Sequence, residues 1–350
     1  MRKRVSDDEE PVLPIENKEG NKPVTPPGIS NFKYFFILLV AIGFKSWQPI
    51  AVGMSKREDG TYTYNKTWMV IYTECFKLVF CIIAFLCQYL STDPISRSSL
   101  HDLPFVQSLH FIIPSILYAT ANTLVYISMS YINPALFHVF GNIRIMTAGV
   151  LYRIVMNKPQ SDLQWISLVL LTCGAVLASP NKQVSANPNE DNTLGLLACL
   201  MMCICSSASS IYTEINYKKT RELSIFYQNI VLYLYGILVN LIWLGYSDFE
   251  SLTNSGAFSG FDLSALHVLL AQGLMGISLS FIFKYLDNIV YVIAFTISMF
   301  VSAFLSIFLF QFTFTVQFCI ALLIVTFSVY LYYRDKILEK FGLNVKTAIF

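Results

Sequence analysis

Charge is what this sequence has least of. Only 13% of its 350 residues are Asp, Glu, Lys or Arg, against roughly 25% in an average soluble domain, so half the charged surface that a soluble protein needs is missing. Histidine is scarce as well, at four residues, and no HExxH helix, glycine-rich phosphate loop or GxSxG elbow occurs. The eight cysteines (Cys75, Cys81, Cys87, Cys173, Cys199, Cys203, Cys205 and Cys319) all fall in apolar stretches, where they read as small packing residues, not as a disulfide framework. Cys199 and Cys203 share a helix face but lack the further ligands that zinc requires. No metal or cofactor is expected. The net charge of +2, from 24 basic and 22 acidic residues, comes without a basic cluster interleaved with aromatics, which excludes nucleic acid as a partner.

What fills the chain instead is apolar: 55% of residues are hydrophobic and the mean hydropathy is +0.56. At about 20 residues per crossing, that is room for ten spans and no soluble catalytic domain. Residues 1–30 carry five prolines, eleven charges and no aromatic residue, too little apolar surface to order itself, so they are expected to form a disordered cytosolic tail. No apolar run directly follows Arg2-Lys3-Arg4, so the first span is expected to direct insertion.

From Asn31 onward the apolar runs predict helices at 32–52, 67–90, 109–130, 135–155, 163–180, 193–216, 225–246, 263–284, 287–310 and 314–333. The breaks at Ile132-Asn133-Pro134 and Leu286-Asp287-Asn288 are tight enough to leave a nine- or eight-span count open. Basic residues favour ten. With the amino terminus in the cytosol, seventeen Lys and Arg fall on the cytosolic side, and four (Lys56, Arg57, Lys66 and Lys182) on the other. Both termini are then cytosolic.

Sliding the chain on itself by 153 or 154 positions aligns Tyr131-Ile132-Asn133 with Tyr285-Leu286-Asp287, and Leu163-Gln164-Trp165 with Val316-Gln317-Phe318. The expected fold is therefore all-α, with ten transmembrane helices in two inverted five-helix repeats, residues 31–180 and 181–333, and a cytosolic tail at 334–350. Five helices per repeat force the second copy upside down, an architecture with its site at the centre. Chance likeness between two apolar stretches is the alternative.

Five charged residues lie inside the apolar runs: Lys45, Glu74, Lys77, Arg144 and Glu214. Each costs roughly 2.5–3.5 kcal/mol at mid-helix on insertion scales, so each needs a reason. Glu74 and Lys77, one turn apart, can neutralise each other or take part in gating. Lys45 faces the bundle or snorkels. Arg144 has no acid within a turn, and Gly141 and Ala148 leave room for a cavity beside its guanidinium, so it suits a bound anion; pairing with Glu214 across the bundle is the alternative. Glu214 follows a serine-rich face (Ser206, Ser207, Ser209, Ser210) that is packing glue unless it lines the cavity. Lys284 and Tyr285 end the eighth helix, and His138 reads as a core histidine. An intramembrane enzyme or a non-transporting scaffold are the competing classes.

The runs Pro114-Ser-Ile-Leu-Tyr118-Ala-Thr-Ala-Asn122, Phe137-His-Val-Phe-Gly141-Asn142-Ile-Arg144, Ser161-Asp-Leu-Gln164-Trp165, Ile211-Tyr212-Thr213-Glu214, Gln228-Asn229-Ile-Val-Leu-Tyr233 and Lys284-Tyr285-Leu-Asp287-Asn288-Ile289-Val290 resemble the nucleotide-sugar transporters of the drug/metabolite transporter superfamily, CMP-sialate and UDP-sugar branch. The resemblance runs from about Tyr72 to Tyr333. It implies a Golgi or endoplasmic-reticulum antiporter that imports a nucleotide sugar and exports the nucleoside monophosphate. It places Tyr118 and Asn122 at the nucleoside, Arg144 at the phosphate in place of the family's usual lysine, and Tyr233 and Lys284 at the nucleotide or sugar. Glu214, Tyr285 and Asn288 complete the expected substrate-binding set. Ala121, Phe137 and Tyr291 depart from the pattern of CMP-sialate carriers and relatives, which favours a UDP-sugar over CMP-sialate. The expected partners are the lipid bilayer, the nucleotide sugar and its monophosphate, and a homodimer or glycosyltransferase complex.

Overall fold

The computed structural model describes residues 31–55, 63–131, 137, 140–157, 159–178, 192–247, 260–310 and 316–340. His138, the Ile132-Asn133-Pro134 break, the loop around Lys56 and Arg57, Lys158, Lys182 and both tails as far as residues 1–30 and 341–350 lie outside them. Among the described residues there is no strand, and ten helices of thirteen residues or more follow one another: α1 Asn31–Met54, α2 Lys66–Ser91, α3 Ile112–Tyr131, α4 Arg144–Met156, α5 Asp162–Ala178, α6 Asn192–Lys219, α7 Ile225–Ser247, α8 Leu263–Tyr285, α9 Asn288–Phe310 and α10 Val316–Lys340. A short helix, Phe105–Leu109, leads into α3. Seven segments are long and apolar enough to cross a membrane: most of α1, α2, α6, α7, α8 and α10, and Phe105–Val125. Asp162–Leu177 and Asn288–Ser302 are shorter apolar helices.

Local sequence sets several of the ends. Ser161 and Gln164 form a reciprocal capping box at the start of α5, each side chain bonded to the other's backbone N–H, at 3.3 and 3.0 Å. Asp262 caps α8 by accepting from the Ala265 N–H at 2.8 Å, and the Thr63 hydroxyl donates to the same carboxylate at 3.0 Å, tying the start of α8 to the segment before α2. Of the helix expected over 135–155, Phe137, Phe140, Gly141 and Arg144–Met156 are α-helical, with a turn at Asn142 and Ile143 between them. Through that turn, Ile143 N–H bonds Phe140 C=O and Ile145 N–H bonds Asn142 C=O, three residues back in each case. The α-helical ladder is therefore broken next to Arg144, and backbone of that kind is tolerated at membrane depth only where protein or a cavity surrounds it.

The helices pack in two groups of three. In one, α6 lies against α3 and α4; in the other, α1 lies against α8 and α9. The α3/α6 pair is antiparallel, with Ser128 bonded to Gly195 C=O at one end and Asn216 to His110 C=O at the other, 2.8 and 3.0 Å. Trp47 Nε1 donates to His267 Nε2 at 2.9 Å in the α1/α8 pair. Between the groups, α2 packs on α7 and α8, α7 on α3, and α9 on α4. Outside them α5 packs on α10, where Leu168, Leu171, Phe318 and Val325 join Ile145, Ile293 and Phe300 in the largest apolar core. Gly174 permits that approach: a Cβ there would stand 2.6 Å from Val325 Cγ2. Outward, Phe32, Phe35, Phe36, Ile242 and Leu323 are exposed, a surface whose proper solvent is lipid.

Candidate functional site

Arg144 begins α4 at the junction of the two three-helix groups. Its guanidinium lies 4.4 Å from the Phe295 ring centroid and 5.8 Å from that of Tyr291, both on α9, and one N–H reaches Ser206 Oγ on α6 at 3.4 Å. Tyr118 of α3 faces Ser209 and Thr213 of α6, within electrostatic range of Arg144 and Tyr291. Lys45 of α1 comes to the other group's arginine through the same ring: its ammonium is 4.6 Å from the Phe295 centroid and donates to Gln48 Oε1 at 2.8 Å. Thr147 and Ser207, bonded to each other at 2.9 Å, lock α4 onto α6 beside the arginine. Most of the serine-rich face is thus packing: Ser207 also donates to Arg144 C=O at 3.3 Å, and Ser206 is the member that meets the guanidinium.

Glu214 is not Arg144's partner. It is fully buried, accepts from Lys218 at 2.6 Å through Oε1 and from the Asn288 backbone N–H at 2.7 Å through Oε2. Lys218 also bonds Asp287 at 2.8 Å. This chain of charges fastens the end of α6 to the tight turn between α8 and α9, with the carboxylate at the amino end of α9, where the helix dipole favours it. The Asn288 side chain is buried with neither Oδ1 nor Nδ2 hydrogen-bonded among the described residues.

The remaining expected site residues lie in two other places. Tyr233, buried on α7, bonds Ser280 at 3.2 Å and supports the Lys77 ammonium 4.3 Å above its ring, while Lys77 pairs with Glu74 at 2.5 Å, a pairing compatible with both mutual neutralisation and gating. Lys284, also buried, donates to Leu223 C=O. With Tyr285 it lines a cleft of about 830 Å³ between α1, α2 and α8, whose rim carries Lys33, Arg221 and Glu222. Asn122 is exposed on α3. The structure therefore gathers Arg144 with Tyr118, and Glu214 with Asn288, and keeps Tyr233 and the Lys284–Tyr285 pair apart from both. Lys45, expected to face the bundle or snorkel, faces the bundle, and Phe295 was not singled out in the sequence. Like Arg144's helix, α1 contains no acid.

Comparison with known proteins bears on this arrangement. A solved crystal structure superimposes with a TM-score of 0.66, covering 86% of this chain and 96% of its own at 12% identity, which shows the fold. The chain is 31% identical over 271 residues to CMP-sialic acid transporter 2 of Oryza sativa subsp. indica, covering 76% of this chain and 74% of the relative. It is 27% identical over 345 residues to the UDP-galactose transporter senju of Drosophila melanogaster, covering 87% of each. Probable UDP-sugar transporter protein SLC35A4 of Xenopus tropicalis is 31% identical over 284 residues, 79% of this chain and 85% of the relative. These relatives are transporters, so an intramembrane enzyme is set aside. The nucleotide-sugar transporter family model matches residues 29–333, and the chain belongs to that family.

Proposed function

We propose that this protein is an antiporter that takes a pyrimidine nucleotide sugar from the cytosol and returns the nucleoside monophosphate, in the Golgi or endoplasmic-reticulum membrane with both termini cytosolic. The observation that carries the reading is Arg144: an always-charged group among membrane-spanning helices, between two helix groups, with aromatic rings and a serine around it and no carboxylate in ion-pair range among the described residues. A cation so placed suits a phosphate, for which the guanidinium fork is built.

The two-repeat architecture is part of the proposal, and the packing supports it. Moving each helix five places along maps α1 on α8 and α9 to α6 on α3 and α4, maps α2 on α8 to α7 on α3, and returns α2 with α7, α4 with α9 and α5 with α10 to themselves. Halves of five spans related in this way are inverted, and rocking of one three-helix group against the other exposes a central site to each side in turn. An empty carrier would have to bring the desolvated arginine through the closed state uncompensated, which costs several kcal/mol. A loaded carrier does not, so exchange is favoured without an ion gradient.

Relatives named for CMP-sialic acid, UDP-galactose and UDP-sugars support a pyrimidine nucleotide sugar as the substrate. The departures at Ala121, Phe137 and Tyr291 tilt it to a UDP-sugar. A panel of labelled nucleotide sugars offered to proteoliposomes loaded with UMP or CMP tests this. UDP-sugar uptake above CMP-sialate is expected, and absence of uptake for every member, from well-folded protein, would favour a non-transporting scaffold.

A further inference from the structure

Lys45 has no role in the reading above, yet its ammonium and the Arg144 guanidinium share one ring, 4.6 and 4.4 Å from the Phe295 centroid. Ion pairs among the described residues are Lys77–Glu74, Lys218–Glu214 and Lys218–Asp287; neither Lys45 nor Arg144 takes part. Gln48 occupies one of the three ammonium hydrogens, and Ser206 one of the five guanidinium N–H groups. Among the described residues most of the donors are unspent. A cation over an aromatic face is held by the ring's quadrupole, but two cations over one ring in a low-dielectric interior repel each other, and the arrangement is improved by anything that brings two negative charges between them. A void of about 10 Å³, room for a single water, is lined by Lys45, Tyr291, Ala294 and Phe295.

We propose that Lys45 and Arg144 together form a two-cation seat for a dianionic phosphate ligand, so that charge count is a criterion of what the carrier accepts. The proposal rests on the nucleotide-sugar reading for the identity of its ligands. A UDP-sugar carries two oxyanions on its diphosphate, CMP-sialate one on its phosphodiester and one on its carboxylate, and a nucleoside monophosphate close to two charges near neutral pH. Both directions of the exchange therefore present the same charge to the seat. A nucleoside leaves it empty and a phosphate monoanion leaves one cation uncompensated. Because Lys45 belongs to the group of α1, α8 and α9 and Arg144 to the group of α3, α4 and α6, a dianion held by both draws the groups together, which couples loading to closure.

The test is a charge series titrated by thermal shift at about pH 7.5, where the monophosphate is dianionic: uridine, UMP methyl ester, UMP and a UDP-sugar, with inorganic pyrophosphate as a probe that needs no nucleoside. Wild-type protein is expected to bind UMP and the UDP-sugar at least tenfold tighter than the methyl ester. In Lys45→Met that preference should fall to about twofold, while the melting temperature without ligand holds or rises as the repulsion is relieved. Lys45→Arg should keep the preference. A Lys45→Met protein that melts lower or fails to fold, or that still prefers dianions tenfold, would overturn the seat and make Lys45 an anchor of α1. Wild-type protein stabilised by pyrophosphate in a Lys45-dependent way, but by no nucleotide, would keep the seat and refute the nucleotide-sugar reading. Indifference to both would refute the seat as well.

Discussion

Arg144 and Glu214 show how little a charge inside an apolar run says until its neighbours are known. Both lie inside apolar runs, yet one is held by rings and a serine and the other by a lysine and a backbone N–H. Their substitutions should therefore behave oppositely. Arg144→Gln removes the proposed phosphate contact together with its desolvation cost, so counterflow should be nearly abolished while the melting temperature is unchanged or higher; Arg144→Lys should keep partial transport with weaker nucleotide affinity, having charge without the fork. A stable Arg144→Gln protein with a normal UMP-induced shift would end that assignment. Glu214→Ala leaves the Asn288 N–H buried without its acceptor, and should cost roughly 1–3 kcal/mol, read by thermal or denaturant unfolding. If Arg144 depended on Glu214, Arg144→Gln would be the destabilised protein instead. Arg144 stood out in the sequence because its helix offered no acid; what the sequence did not hold was the partner of Glu214, since Lys218 is one turn away but Asp287 and the Asn288 N–H are 73 and 74 positions on and meet it only through the fold.

Helices were the most legible feature, because a membrane span announces itself by uninterrupted apolar length. The ten described helices fall close to the expected ranges, and the difference at α4 has a local cause. Residues 140–143 look apolar enough to continue a span, but the turn at Asn142 and Ile143 interrupts the ladder, and side-chain hydropathy does not encode that. Helix partners were less legible, since every apolar face can pack on every other. Gly174 was one readable clue: against α10 it leaves no space for a side chain, and Gly174→Leu should separate α5 from α10 and cost about 1–3 kcal/mol by overpacking, seen as a lowered melting temperature. The charge chain from Glu214 through Lys218 to Asp287 joins the end of α6 to the α8–α9 turn, across the boundary between the groups. In the proposed cycle it must part when the carrier faces the cytosol. Asp287→Asn should raise the reactivity of a cysteine placed at Thr220 toward a cytosolic thiol reagent, several-fold in sealed vesicles; unchanged reactivity would make the chain a plain structural tie.

At the scale of the whole molecule, composition excluded a soluble protein, and the segregation of basic residues suggested a direction of insertion. Tags at both termini should be digested by protease added outside sealed microsomes, and a protected tag would contradict the ten-span orientation. The symmetry of packing was only faintly legible, because two short alignments carry it in sequence, while Trp165 and Phe318, one pair from those alignments, sit in the same core where α5 meets α10. The central claim is that positive charge desolvated inside the bilayer makes the loaded carrier the mobile one. Its most direct measurement compares initial uptake of a labelled UDP-sugar by proteoliposomes loaded with UMP and by the same proteoliposomes loaded with buffer. The account predicts uptake at least tenfold faster into the UMP-loaded vesicles, an advantage lost in Arg144→Gln. Equal rates into loaded and empty vesicles, from wild-type protein, would contradict it.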